Sequence, residues 1–158
     1  MSDLIIRKVQ DSDLEGVNKL LHQVLEVHAK GRPDIFKSGT KKYTDEELLE
    51  IFKNPQLPIF VAIDHQELVG YCFCVYQITE ETENMHAMKT LYIDDLCVDE
   101  NCRGKHVGTK LYNHVIAYAK ENGFYNVTLN VWALNESALS FYQKMGLVPL
   151  KTTMEKIL

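Results

Sequence analysis

Apolar positions recur along this chain with a period near two in some stretches and near 3.6 in others, and the switches between the two mark its elements. LIIRKV (Leu4–Val9) is a short β-type run. Ser12-x-x-Glu15 then reads as a capping box, and behind it Leu14, Val17, Leu21, Val24, Leu25 and His28 fall at helical spacing. KGRPDIFKSGTKK (Lys30–Lys42) breaks that period with Gly, Pro and five basic residues. A second capping box, Thr44-x-x-Glu47, opens a shorter helix through Phe52, and Pro55 and Pro58 bracket a loop. Ile59–Asp64 and Glu67–Ile78 predict a hairpin around Asp64–Gln66. A polar, acidic connection (Thr79–Met88) leads to a strand over Lys89–Asp99, unusual for two adjacent aspartates within it. The next helix, Val107–Asn122, carries Val107, Leu111, Val115 and Ala119 on one stripe, and Gly123 suits its C-cap. Asn126–Trp132 reads as a strand. Asn135 is a good N-cap for a helix bearing Ala138, Phe141, Tyr142 and Met145 and closed by Gly146, and Leu147–Thr152 reads as a final strand.

The resulting order, β-α-α-β-β-β-α-β-α-β, predicts an α/β (α+β) fold in which helices cover the faces of a mixed sheet. A right-handed crossover through the Val107 helix makes the strands Tyr92–Val98 and Asn126–Val131 parallel. No repeat, low-complexity tract or linker divides the chain, so a single domain over 1–158 is expected, long enough to bury a core without disulfides or metal. The net charge of −5 argues against a nucleic-acid or membrane-surface partner and leaves room for a cationic substrate. No apolar run approaches the roughly 20 residues of a membrane span, and the start MSDLIIRKVQDSD lacks a signal-peptide core, so a cytoplasmic protein is expected. Cys72, Cys74, Cys97 and Cys102 are then reduced thiols that pack as small apolar groups. The six histidines lack metal-binding spacing, and no metal is expected.

CRGKHVGTKL (Cys102–Leu111) joins the aspartate strand to the Val107 helix. A glycine-bearing turn at a helix start leaves backbone N–H groups without partners and suits an anion. Gly104 and Gly108 are too close for a nucleotide P-loop, and neither the G-x-G-x-x-G spacing nor the later acidic residue of a dinucleotide turn is present. Arg103-Gly104-Lys105-His106-Val107-Gly108, following LYIDDLCV, resembles the pyrophosphate turn of the GNAT superfamily of acyl-CoA-dependent N-acyltransferases. A second signature of those enzymes is similar to Asn135-Glu136-Ser137-Ala138 followed by Phe141-Tyr142-Gln143-Lys144-Met145-Gly146-Leu147. His106 departs from the pattern, standing where the family usually has glycine. Histidine is among the residues enriched at positive φ, so the turn is expected to survive.

The resemblance implies the GNAT fold, a central sheet of six to seven strands flanked by about four helices, and acetyl-CoA as cofactor with CoA as product. It places Arg103, Gly104, Lys105, His106, Val107, Gly108 and Thr109 on the pyrophosphate and Asn135 and Lys144 along the cofactor. Leu96, Cys97 and Val98 offer backbone groups to the pantetheine arm in the manner of an added strand. Acyl transfer to an amine needs a proton acceptor, because only about one alkyl amine in 2,500 is neutral at pH 7, a handicap of about 4.6 kcal/mol. It also needs a donor for the departing thiolate. By resemblance that donor is Tyr142. YIDDLCV resembles the acidic strand of the diamine (polyamine and thialysine) acetyltransferase branch, in which the residue matching Asp94 relays the amine's proton and the one matching Asp95 helps hold the cationic acceptor. As neighbours on one strand the two carboxylates point to opposite faces. Cys97 lacks a His–acid arrangement that would make it a nucleophile.

The basic loop sits where the family builds one wall of the acceptor site, which assigns acceptor selection to Arg32, Asp34 and Phe36. The expected activity is direct transfer of acetyl from acetyl-CoA to a primary amine of a small molecule, polyamine or amino-acid-like. The alternatives are a protein N-terminal or lysine acetyltransferase and a non-catalytic acyl-CoA-binding module. A homodimer is compatible with the resemblance, though no residue demands it.

Overall fold

β-Branched and aromatic runs pair into one sheet, in the order β1 (Ile5–Lys8), β2 (Ile59–Asp64), β3 (Glu67–Thr79), β4 (Met88–Val98), β5 (Asn126–Leu129). This is seen in a computed structural model that describes residues 3–158; Met1 and Ser2, the first positions of the expected 1–158 domain, lie outside the described residues. The first four strands are antiparallel neighbours, and β5 joins β4 in parallel after the helical crossover, as expected.

Four α-helices cover the sheet: α1 (Leu14–Gly31), α2 (Asp45–Lys53), α3 (Val107–Glu121) and α4 (Glu136–Lys144). The Thr44 capping box closes in both directions. Its hydroxyl accepts from the Glu47 N–H at 3.1 Å and the Glu47 carboxylate accepts from the Thr44 N–H at 3.1 Å. The box expected at Ser12 lies two residues earlier instead, at Gln10 and Asp13. Asp13, held by Arg7 at 2.7 Å, accepts from the Gln10 N–H and ends a short 3-10 turn that leads into α1.

Strand alternation sorts the core into two faces. Phe60, Ala62, Cys72, Cys74, Leu91 and Ile93 meet Val107, Leu111, Val115 and Ala119 of α3, all four of the expected stripe being buried. Ile59, Val61, Tyr71, Phe73 and Cys97 meet Val17, Leu20 and Leu21 of α1 and Leu48 of α2.

Six to seven strands were implied, and the described residues form five. One of the six strands read from the sequence is absent and another is shortened. β5 stops at Leu129 rather than Trp132, because the chain turns away: Asn130 donates to the Tyr92 hydroxyl at 3.2 Å and Trp132 packs on Phe36 and His28. Leu147–Thr152 forms no strand. Pro149 deprives the segment of a ladder donor at its centre, Val148 and Leu150 are exposed, and the following stretch is held by a side chain, Glu155 on Arg32 at 2.6 Å.

Candidate active site

β4 departs from simple alternation at its aspartates. Phe73 pairs with Asp95 and Cys74 with Ile93, so Asp94 is the extra residue of a β-bulge. A bulge resets which face the following side chains use. Asp95 joins Tyr71 and Cys97 on the α1–α2 side, although Ile93, two residues earlier, faces α3. Asp94 meets Lys42 of the loop between α1 and α2, Lys42 Nζ donating to its Oδ2 at 3.4 Å. The expectation that the two carboxylates face opposite ways is thereby corrected: both lie where the α1–α2 loop reaches.

Their environments differ. Asp95 is partly buried and accepts from the Tyr71 hydroxyl at 2.6 Å. Burial outweighs that hydrogen bond and the attraction of Lys42, and raises the Asp95 carboxyl to about 6. Asp94 is exposed at the bulge. Cys97, behind Asp95, is pushed by burial up to about 12 and so stays a thiol.

The same segment of β4 has an open edge. Its pairing with β5 ends at Ile93–Leu129, and Asp94–Val98 run on without a β5 partner. α4 brings Tyr142 to this edge. Burial holds its phenol well above the ordinary tyrosine range, and the negative forms of Cys72, Asp95, Cys97 and Tyr112 add to the effect. Tyr142 is therefore fully protonated at neutral pH, and among the described residues its hydroxyl makes no hydrogen bond. Phe141 steadies it, 5.3 Å away between ring centroids and itself packed on Tyr112.

Past the open edge, Arg103 is extended, Gly104 has φ +85° and His106 has φ +62°, the left-handed region in both cases. A Cβ on Gly104 would meet nothing within 4 Å, so this glycine serves its backbone angle and not a close approach. His106 occupies the N-cap of α3 without a side-chain cap, and its C=O accepts from the Lys110 N–H at 3.1 Å. The N–H groups of Val107, Gly108 and Thr109 are left over, as at any helix start. α1, α2 and α4 each carry an acidic residue in the first turn, whereas α3 carries none, and Arg103 and Lys105 stand exposed beside it without an ion pair among the described residues. The turn is thus cationic and donor-rich, which fits a pyrophosphate.

The remaining predicted residues fall in two groups. Asn135 caps α4, accepting from the Ala138 N–H at 3.2 Å, and Lys144 lies in the last turn of that helix. Arg32 and Asp34 are engaged with each other through two hydrogen bonds of 2.9 and 2.8 Å, and Arg32 also takes Glu155, so neither reaches Asp94 or Asp95. Phe36 packs on His28 and Trp132 at 4.9 and 5.5 Å. Lys42, Tyr71 and Tyr92 were not singled out in the sequence. Tyr71 was open to detection, since a β3–β4 hairpin sets it across from Cys97 and diagonal to Asp95.

These features belong together in one family. The pattern of the acetyltransferase (GNAT) family matches residues 21–147, and the chain belongs to that family, whose members are acetyl-CoA-dependent N-acyltransferases. Over 108 residues it is 42% identical to N-alpha-acetyltransferase 50 of Danio rerio, the match covering 68% of this chain and 58% of that protein. A tetramutant of the BH1408 protein from Bacillus halodurans has the same fold, with a TM-score of 0.93 and 33% identity over 98% of this chain and 99% of that one. The aminoglycoside N-acetyltransferase AAC(6')-Iy, solved in complex with CoA, shares the fold at a TM-score of 0.76 and 15% identity, covering 100% of this chain and 96% of that one. The chain spans 41% to 63% of the length of the curated relatives it matches. Among the described residues no helix is long and apolar enough to cross a membrane.

Proposed function

We propose that this chain transfers the acetyl group of acetyl-CoA directly to a primary amine. The observation that carries the proposal is the meeting, at the open β4 edge, of a neutral phenol, a carboxyl tuned to about 6 and a cationic helix start. Bound acetyl-CoA supplies an acetyl group activated as a thioester. Arg103, Lys105 and the free N–H groups of Val107, Gly108 and Thr109 would hold its phosphates, and Leu96, Cys97 and Val98 its pantetheine arm along the β4 edge. Tyr142 protonates the departing thiolate.

Asp94 and Asp95 share the acceptor's side of the site. The resemblance makes Asp94 the proton relay and Asp95 the cation holder; the burial of Asp95 and the exposure of Asp94 support the reverse division. A base works best with a pKa near the working pH, which describes Asp95, while exposed Asp94 is placed to attract an ammonium group. A small amino-acid-like or polyamine acceptor fits a site with Asp94 and Lys42 at its mouth. A second reading, the α-amino group of a peptide, is favoured by the 42% identity to an N-alpha-acetyltransferase.

The test combines binding with turnover. Acetyl-CoA and CoA at about 1 mM should raise Tm by about 5–10 °C if Kd is about 10 μM, while NAD and ATP should not. Thiol release with a panel of spermidine, free amino acids and short peptides then selects the acceptor. Binding without thiol release from any of them would leave only an acyl-CoA-binding module.

The His106→Gly variant checks the turn. Glycine adopts the left-handed angle at about 1 kcal/mol less cost than a residue with a Cβ, so acetyl-CoA affinity should be kept or improved and Tm should not fall. A tenfold or greater loss of affinity would show that the imidazole is itself a ligand.

A further inference from the structure

The loop between α1 and α2 delivers a primary amine of this chain to the carboxylate pair. Lys42 Nζ bonds Asp94, its charge acts on Asp95 as well, and it lies 5.2 Å from the centroid of the Tyr43 ring. Tyr43 in turn stacks parallel to Phe73, the β3 residue paired with Asp95, so the aromatic pair fixes where the end of the loop stands. The negative charge of Asp95 also acts on Tyr142. The amine, the carboxylate pair and the acid thus act on one another within one site. The neighbouring Lys41 is turned away and engaged by Asp45 at the start of α2.

We propose that Lys42 is a modification site of this protein, its Nζ accepting acetyl in cis from acetyl-CoA bound along the β4 edge. The inference rests on the acetyltransferase reading above. The bond from Nζ to the acetyl carbon forms as the thioester C–S bond breaks. The ammonium nitrogen gives up two protons: one passes through the Asp94–Asp95 pair to solvent, and the second is balanced by the proton Tyr142 delivers to the thiolate. The products are an amide at Lys42 and free CoA, with no oxidant or further reactant. The modification removes the positive charge that pairs Asp94 and leaves that carboxylate free for a cationic acceptor.

The experiment is to incubate the purified chain with acetyl-CoA and no added amine, and to map acetylated lysines by peptide mass spectrometry. Trace labelling by acetic anhydride in a separate sample gives each lysine's intrinsic reactivity. Lys42 should be enriched at least about tenfold over Lys37 and Lys41 relative to the anhydride reference, at a rate constant independent of protein concentration. Tyr142→Phe should slow it at least about tenfold. Lys41→Arg should leave the Lys42 peptide fully labelled. Labelling equal to the anhydride pattern, equal in Tyr142→Phe, or rising with protein concentration overturns the proposal. Thiol release with an added amine but no label on Lys42 overturns it while sparing the acetyltransferase reading. Absence of both an acetyl-CoA thermal shift and thiol release sinks the two together.

Discussion

Tyr142→Phe lowers kcat by about a hundredfold to a thousandfold while acetyl-CoA binding stays within about twofold. The variant keeps the ring that packs on Phe141 and removes only the hydroxyl at the open β4 edge. Burial keeps that phenol protonated through the whole working range, so its ionisation adds no alkaline limb to the pH profile near neutrality. The proton is needed because a CoA thiolate, with a pKa of about 8.5, is a poor leaving group unless protonated as it departs. A donor whose thiol is more acidic needs the proton less. The deficit of Tyr142→Phe should therefore shrink with an acetyl thioester of an aromatic thiol, measured as thiol release at saturating amine. An undiminished deficit with that donor would mean that the hydroxyl positions the substrate and does not protonate it, and full activity in the variant would remove Tyr142 from the mechanism.

Much of this arrangement was legible in the chain because the relevant signals are local. The Thr44 capping box, the Val107–Ala119 stripe and the Asn135 cap each depend on residues three or four apart, and each appears where the pattern puts it. The left-handed His106 was foreseeable through the resemblance, which has glycine at that position, and histidine is among the residues that tolerate positive φ. What could not be read off depends on register and on distant partners. The bulge at Asp94 is one extra residue against β3, and nothing in YIDDLCV alone distinguishes it from regular alternation; yet it turns Asp95 toward Tyr71 and sets both carboxylates toward Lys42. Leu147–Thr152 has strand composition, but a strand forms only where a partner edge accepts it, and β5 is four residues long. Arg32 and Asp34 look available in a basic loop, and only the fold reveals that they bind each other and Glu155.

Asp95→Asn carries the second large effect, in two opposed directions. For stability, the sign follows from the folded carboxyl binding its proton more tightly, at about 6, than an unfolded aspartate at about 3.9. Between those values the native state holds more protons than the unfolded chain, so Asp95 makes stability fall as pH rises through this window. At neutral pH the ionised, partly buried carboxylate costs about 3 kcal/mol. The amide keeps an acceptor for the Tyr71 hydroxyl and carries no charge, so Asp95→Asn should raise Tm at pH 7.5 by about 6–12 °C, with the gain vanishing near pH 4. For activity, kcat/KM should drop by about two to three orders of magnitude, and the acid limb of its pH profile near 6 should disappear. A group held at a destabilising charge in the site it serves is the expected signature of function traded against stability. The comparison with Asp94→Asn separates the two carboxylates: that variant should raise the KM of a cationic acceptor several-fold and keep the limb near 6. If the limb is lost with Asp94→Asn and kept with Asp95→Asn, Asp94 is the base and burial of Asp95 serves the architecture of the bulge.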